Sequence, residues 1–88
     1  MPVTVSARAV SELLARRLEV ERARVVPTAS LREDLGASSV VLIEVALALE
    51  QQFDIRIAED EVASFVTVED VMACVARARQ SRSWRPVR

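Results

Sequence analysis

Residues 39–53 read SVVLIEVALALEQQF, a long apolar run with no glycine and no proline. On a helical wheel, Leu42, Ile43, Val45, Ala46, Leu49 and Phe53 share one broad face, while Val40, Val41, Glu44, Ala48 and Gln51 share the other. The spacing predicts an α-helix from Ser39 to Phe53, amphipathic in its second half. Its first turn, Val40 to Ile43, is apolar all round. Such a turn is either buried on most sides or presents a contact surface. With 88 residues the chain has room for one small domain, so this helix has to organise the rest.

The remaining segments fit around it as helices. One glycine, three prolines and two phenylalanines are too few turn-formers and aromatics for a β-sandwich. A first helix is expected from about residues 3–6, with Val10, Leu13, Leu14 and Leu18 inward and Arg8, Glu12, Arg16 and Glu19 outward, ending before Pro27. A long connection, residues 20–38, is anchored by Val25, Val26, Leu31 and Leu35. Within it, Ser30 and Glu33 stand at capping-box spacing around one short turn. Connections this long without regular structure are uncommon and often functional. After a connector at 54–58, a short third helix is expected over Glu59–Ser64, with Glu59 and Asp60 favourably placed at its N-terminus. Thr67 and Asp70 cap a fourth helix with a stripe of Val68, Val71, Met72 and Val75.

The fold class is therefore all-α: an up-and-down four-helix bundle with a short third helix. Its expected core is Val10, Leu13, Leu14, Leu18, Leu31, Leu35, Ile43, Ala46, Leu49, Phe53, Val68, Val71, Met72 and Val75. Cys74 falls off the stripe of the fourth helix and reads as a minor surface residue. From Gln80 the periodicity is lost, and residues 80–88, which include Trp84, read as a disordered basic tail behind a domain of residues 1–79.

Several functions are disfavoured. Histidine is absent, which removes the usual general base and the commonest metal ligand. The single cysteine permits no intrachain disulfide, no zinc cluster is present, and Gly36 alone cannot build a phosphate-cradling loop. No apolar run approaches membrane-spanning length and no secretory signal is visible, so a cytoplasmic protein is expected. Charge is segregated. Residues 39–70 hold Glu44, Glu50, Asp54, Glu59, Asp60, Glu61, Glu69 and Asp70 against Arg56, a net −7. Residues 71–88 hold five arginines and no acid. An acidic middle attracts basic partners and repels nucleic acid, unless these acids only solvate the outer faces of helices.

The stretch LGASSV at 35–40 carries the remaining chemical signal. Two serines stand between a glycine turn and the apolar run. A serine there is ordinarily a helix cap. A hydroxyl at a helix N-terminus also sits beside unpaired backbone N–H groups and the positive end of the helix dipole, which favour a phosphate ester.

Taken together, residues 5–79 resemble an acyl carrier protein. Leu31-Arg-Glu-Asp-Leu-Gly-Ala-Ser-Ser-Val is similar to that family's hydrophobic-x-x-D-L-G-x-D-S-L signature. Glu44 and Ala48-Leu-Glu-x-x-Phe53 resemble its continuation, and Thr67-Val-Glu-Asp-Val resembles the start of its fourth helix. The resemblance implies that Ser39 receives 4′-phosphopantetheine from coenzyme A through a separate phosphopantetheinyl transferase. The thiol of that arm would carry acyl groups as thioesters to acyl-loading, chain-elongating or tailoring enzymes. The chain itself would be a monomer and a non-catalytic carrier, with no nucleic-acid or membrane partner. The implied docking surface is Val40, Val41, Glu44, Leu47, Glu50, Glu59, Asp60 and Glu61. The implied acyl pocket is Leu42, Ala46, Ile57, Val62 and Phe65.

Two positions depart from the family pattern. Ser38 stands where the family has aspartate, which removes a charge expected to help dock the transferase. Val41 stands where acidic or polar residues are common, and with Val40 and Leu47 it makes the docking face more apolar. These departures lean toward specialised, polyketide-type biosynthesis and away from primary fatty acid synthesis. Stand-alone peptidyl carriers share the L-G-x-x-S spacing and remain open. So does a module of the same fold that binds partners without being modified. An unrelated helical interaction domain would need an apolar heptad seam, which is missing.

Overall fold

The computed structural model describes residues 7–83, side chains of 80–83 excepted. Four α-helices follow in chain order: α1 (Ala7–Leu18), α2 (Ser39–Phe53), α3 (Glu59–Ala63) and α4 (Val68–Ser83), with a 3-10 turn at Arg22–Arg24 after α1. No strand occurs among the described residues; a lone antiparallel bridge joins Ser30 to Thr67. The expected bundle with a short third helix is what the chain forms. The region in which α1 was expected to begin lies outside the described residues, as does Trp84.

α1 packs on α2 and α4, and α3 packs on α2. Val10, Leu13 and Leu14 of α1 meet Leu42, Val45 and Leu49 of α2 and Val68, Val71 and Val75 of α4 in one core. Burying a side chain of this size is worth about 1.5–3 kcal/mol. Leu18, Phe53 and Met72, expected in the core, are half-buried at its edge. Ile43, also expected there, is 53% exposed, because the five-residue α3 is too short to cover that flank of α2.

Both α1 and α2 end without glycine. Glu19 (φ 58°) and Asp54 (φ 57°) adopt the left-handed conformation themselves. The next amide folds back five residues in each case, from Val20 to Ala15 O and from Ile55 to Glu50 O. Gly36 (φ 73°) is the third left-handed residue, and it turns the chain into the two serines. A side chain there would meet no atom within 4 Å, so the backbone angle, not space, is what calls for glycine.

The long connection is held in place by the start of α4. Leu31 N–H donates to Val66 O, Val68 N–H to Ala29 O, and Glu69 N–H to Pro27 O. Val25, Leu31 and Leu35 are buried as expected; Val26 is 44% exposed, since after the 3-10 turn Val25 alone of the pair faces the core. Cys74 is buried, contrary to its expected surface position. It lies on the flank of α4 near Glu61 of α3, a side that the narrow stripe of valines does not reveal. α4 runs to Ser83, past the expected boundary at 79. Its alanines, arginines and glutamine are strong helix formers, and basic residues suit a helix C-terminus, so the helix continues after its apolar periodicity ends.

Candidate functional site

Ser38 and Ser39 have separate roles. Ser38 is the N-cap of α2, its backbone extended and its Oγ accepting from Val41 N–H at 3.2 Å. Ser39 is the first helical residue and is exposed. Its Oγ takes no part in capping; it accepts from Arg32 Nη2 at 2.7 Å. Replacing the family's aspartate by Ser38 thus keeps the cap and leaves the neighbouring hydroxyl presented at the helix start.

The turn that carries Arg32 is closely tied. Ser30 N–H donates to Asp34 Oδ2 at 2.7 Å, and Glu33 N–H donates to Ser30 Oγ at 3.0 Å. The capping box expected between Ser30 and Glu33 therefore forms with Asp34 as its carboxylate. Arg24 Nη2 donates to Asp34 O at 2.6 Å, and Ala37 N–H to Leu31 O at 2.8 Å.

From Ser39 a groove runs along α2 beneath α3, enclosing a cavity of about 470 Å³. Ser39, Ile43, Ala46 and Glu50 follow one another along one side of α2 at three- and four-residue steps, a line of about 16 Å. Ile57, Val62 and Ala63 form the opposite wall. Four of the five expected acyl-pocket residues, Leu42, Ala46, Ile57 and Val62, line this groove. Phe65 does not; it is buried in the core below it. Ile43, Leu47 and Arg32 line the groove and were not foreseen there. The signal for Ile43 and Leu47 was their position, three and seven residues after Val40, which marks a continuous exposed stripe. Arg32 gave no local signal.

The expected docking residues divide by what they already hold. Val40, Glu44, Leu47, Glu59 and Asp60 are exposed. Val41 is half-buried and packs against the core. Glu50 Oε2 accepts from Ile57 N–H at 2.7 Å, tying the connector to α2. Glu61 Oε1 accepts from Ala58 N–H at 3.0 Å, and its Oε2 lies 3.9 Å from Arg77 Nη2. Glu50 and Glu61 are thus engaged in holding α3 against its neighbours.

Two groups on α4 are shifted from their ordinary pKa values. The Asp70 carboxylate accepts from the Thr67 and Val66 N–H groups, both at 3.0 Å, and these bonds hold it below the ordinary carboxylate range. Burial pushes the Cys74 thiol up, reinforced by Glu61 and opposed by Arg77, so it stays protonated and unreactive at neutral pH. Among the described residues no cluster of three or more metal-binding side chains occurs, and no helix is long and apolar enough to cross a membrane.

Residues 8–75 match the family described as the phosphopantetheine attachment site. A solved structure from Mycobacterium tuberculosis, provisionally described as an acyl carrier protein, superposes with a TM-score of 0.75 at 30% identity, over 82% of this chain and 97% of that one. The chain belongs to the phosphopantetheine-attachment family, as an acyl carrier protein. The group such a domain carries is 4′-phosphopantetheine. The residues here suit it: an exposed primary hydroxyl, a guanidinium in contact with that hydroxyl, and an apolar groove leading away from both.

Proposed function

We propose that Ser39 is the attachment residue and that the chain is a non-catalytic carrier of acyl intermediates. The division between the serines carries this reading: Ser38 Oγ is committed to the helix cap, while Ser39 Oγ is exposed at the head of the groove. In loading, the Ser39 oxygen bonds to the pantetheine-bearing phosphorus of coenzyme A. The bond from that phosphorus to adenosine 3′,5′-bisphosphate breaks, and the hydroxyl proton passes to a base on the transferase. The attached arm supplies a thiol that holds acyl groups as thioesters. The chain contributes the groove walls, where Leu42, Ala46, Ile57 and Val62 offer an apolar acyl chain shelter from water.

Partners would approach over Val40, Glu44 and Leu47 of α2 and Glu59 and Asp60 of α3. Two exposed apolar side chains among these acids favour dedicated partners chosen by shape more than by charge. This favours a role in polyketide-type or other specialised natural-product biosynthesis, antibiotic formation included, over primary fatty acid synthesis.

The test is intact mass after incubation with coenzyme A and a broad-specificity phosphopantetheinyl transferase. One added phosphopantetheine on wild type and Ser38→Ala, and none on Ser39→Ala, is the expected result. An adduct that persists in Ser39→Ala would move the site. No adduct even with a cognate transferase would leave the unmodified binding module, acting through Val40 and Leu47, as the function.

A further inference from the structure

The hydrogen bond between Arg32 and Ser39 has a consequence for the loaded protein. Arg32 Nη2 donates to the same oxygen that would become the ester oxygen. Esterification makes that oxygen a poorer acceptor, but it adds two non-bridging oxygens, sharing one negative charge, on the next atom. A guanidinium presents five donors in a planar fork, the geometry that grips such a pair of oxygens. A swing of the same side chain therefore exchanges a neutral acceptor for a charged one.

The turn supports this exchange in three ways. The backbone under Arg32 is fixed by Leu31 N–H to Val66 O, Ala37 N–H to Leu31 O and the Ser30–Asp34 closure, so the side chain starts from a set position relative to α2. Among the described residues no ion pair engages Arg32; the neighbouring Asp34 carboxylate is turned back onto Ser30 N–H. The residue beside the ester is Ser38, which is neutral; of the two carboxylates that line the same cavity, Glu50 is tied to Ile57 N–H, and Glu59 is the one placed to compete for the guanidinium.

We propose that Arg32 anchors the phosphate of the arm: it holds Ser39 Oγ in the unmodified chain, grips the phosphodiester in the loaded one, and sets the arm's departure toward the groove between α2 and α3. This rests on Ser39 being the attachment residue. Arg32 is a positioning residue, and it takes no part in the chemistry of the thioester.

Phosphorus-31 NMR of the loaded protein reads the contact without any partner enzyme. Wild type, Arg32→Lys, Arg32→Gln and Arg32→Ala are loaded enzymatically, loading is verified by intact mass, and each is compared with its urea-unfolded form. The wild-type phosphodiester signal should be broader than, and displaced from, the unfolded value. Arg32→Ala and Arg32→Gln should move most of the way to it and Arg32→Lys part of the way. An exposed charged contact corresponds to roughly a two- to five-fold change in the population of held arm. Added salt, to about 0.5 M, should shift wild type toward Arg32→Ala. Loaded Arg32→Ala and Arg32→Gln with the shift and width of folded wild type would overturn the proposal. A wild type that accepts no phosphopantetheine would instead remove the Ser39 reading on which it rests. Both variants alter an exposed side chain, so their melting temperatures should match wild type.

Discussion

α2 has two apolar sides, and they do opposite things. Toward α1 and α4, Val45 and Leu49 are wholly buried. Toward solvent and the short α3, Val40 is 64%, Ile43 53% and Leu47 54% exposed. The residue types are interchangeable, yet one side builds the core and the other is left open. What separates them is the neighbour. Long helices close one side, while a five-residue helix only roofs the other. A stable small bundle would normally bury such residues. Leaving Ile43 and Leu47 uncovered is what makes a groove beside Ser39.

The comparison can be broken most directly by truncating each side. Leu49→Ala should cost about 2–5 kcal/mol in chemical denaturation, as a buried leucine does. Leu47→Ala should stay within about 0.5 kcal/mol. Equal losses would mean that the groove is closed in solution. Gly36→Ala tests whether the turn that presents the open side needs its left-handed residue; a loss of about 1–2 kcal/mol is expected. Asp70→Ala removes the acceptor for Val66 and Thr67 N–H beyond α3 and should cost about 1 kcal/mol.

That effect has a defined pH dependence. The folded-state pKa of Asp70 is depressed, so its contribution is fully present above the ordinary aspartate pKa and is lost as pH falls through the lower folded value. Melting curves of wild type and Asp70→Asn should therefore converge only below about pH 4. A small effect of the opposite sign belongs to the packed side's own end. Glu19→Gly relieves a left-handed glutamate after α1 and should gain about 0.5–1 kcal/mol, read as a raised melting temperature.

Much of this was legible from residue order. α2 begins and ends where its pattern predicts, since a capping serine and the last apolar position, Phe53, bracket it. Thr67 and Asp70 mark the start of α4 because side-chain caps are local chemistry. Four groove residues were legible through the family resemblance. Ile43 and Cys74 were misplaced for one shared reason: a wheel identifies apolar positions but not which flank a neighbour will cover. α3 leaves Ile43 bare, while Cys74 is enclosed. Val26 and the 3-10 turn were hidden because a loop has no period. The Arg32–Ser39 contact joins two residues seven apart across a turn, and only the folded turn brings them together.

The bridge between Ser30 and Thr67 bears on the order in which the molecule assembles. Its two residues are separated by more than a third of the chain. Closing so large a loop is entropically costly and is repaid only when the flanking segments are in place. The turn that positions Arg32 and Ser39 is thus completed by the beginning of the last helix. A nascent or truncated chain lacking α4 contains both serines but not the bridge that completes the turn between Arg32 and Ser39. On the proposed reading of Ser39, competence for loading is thereby tied to completion of the fold.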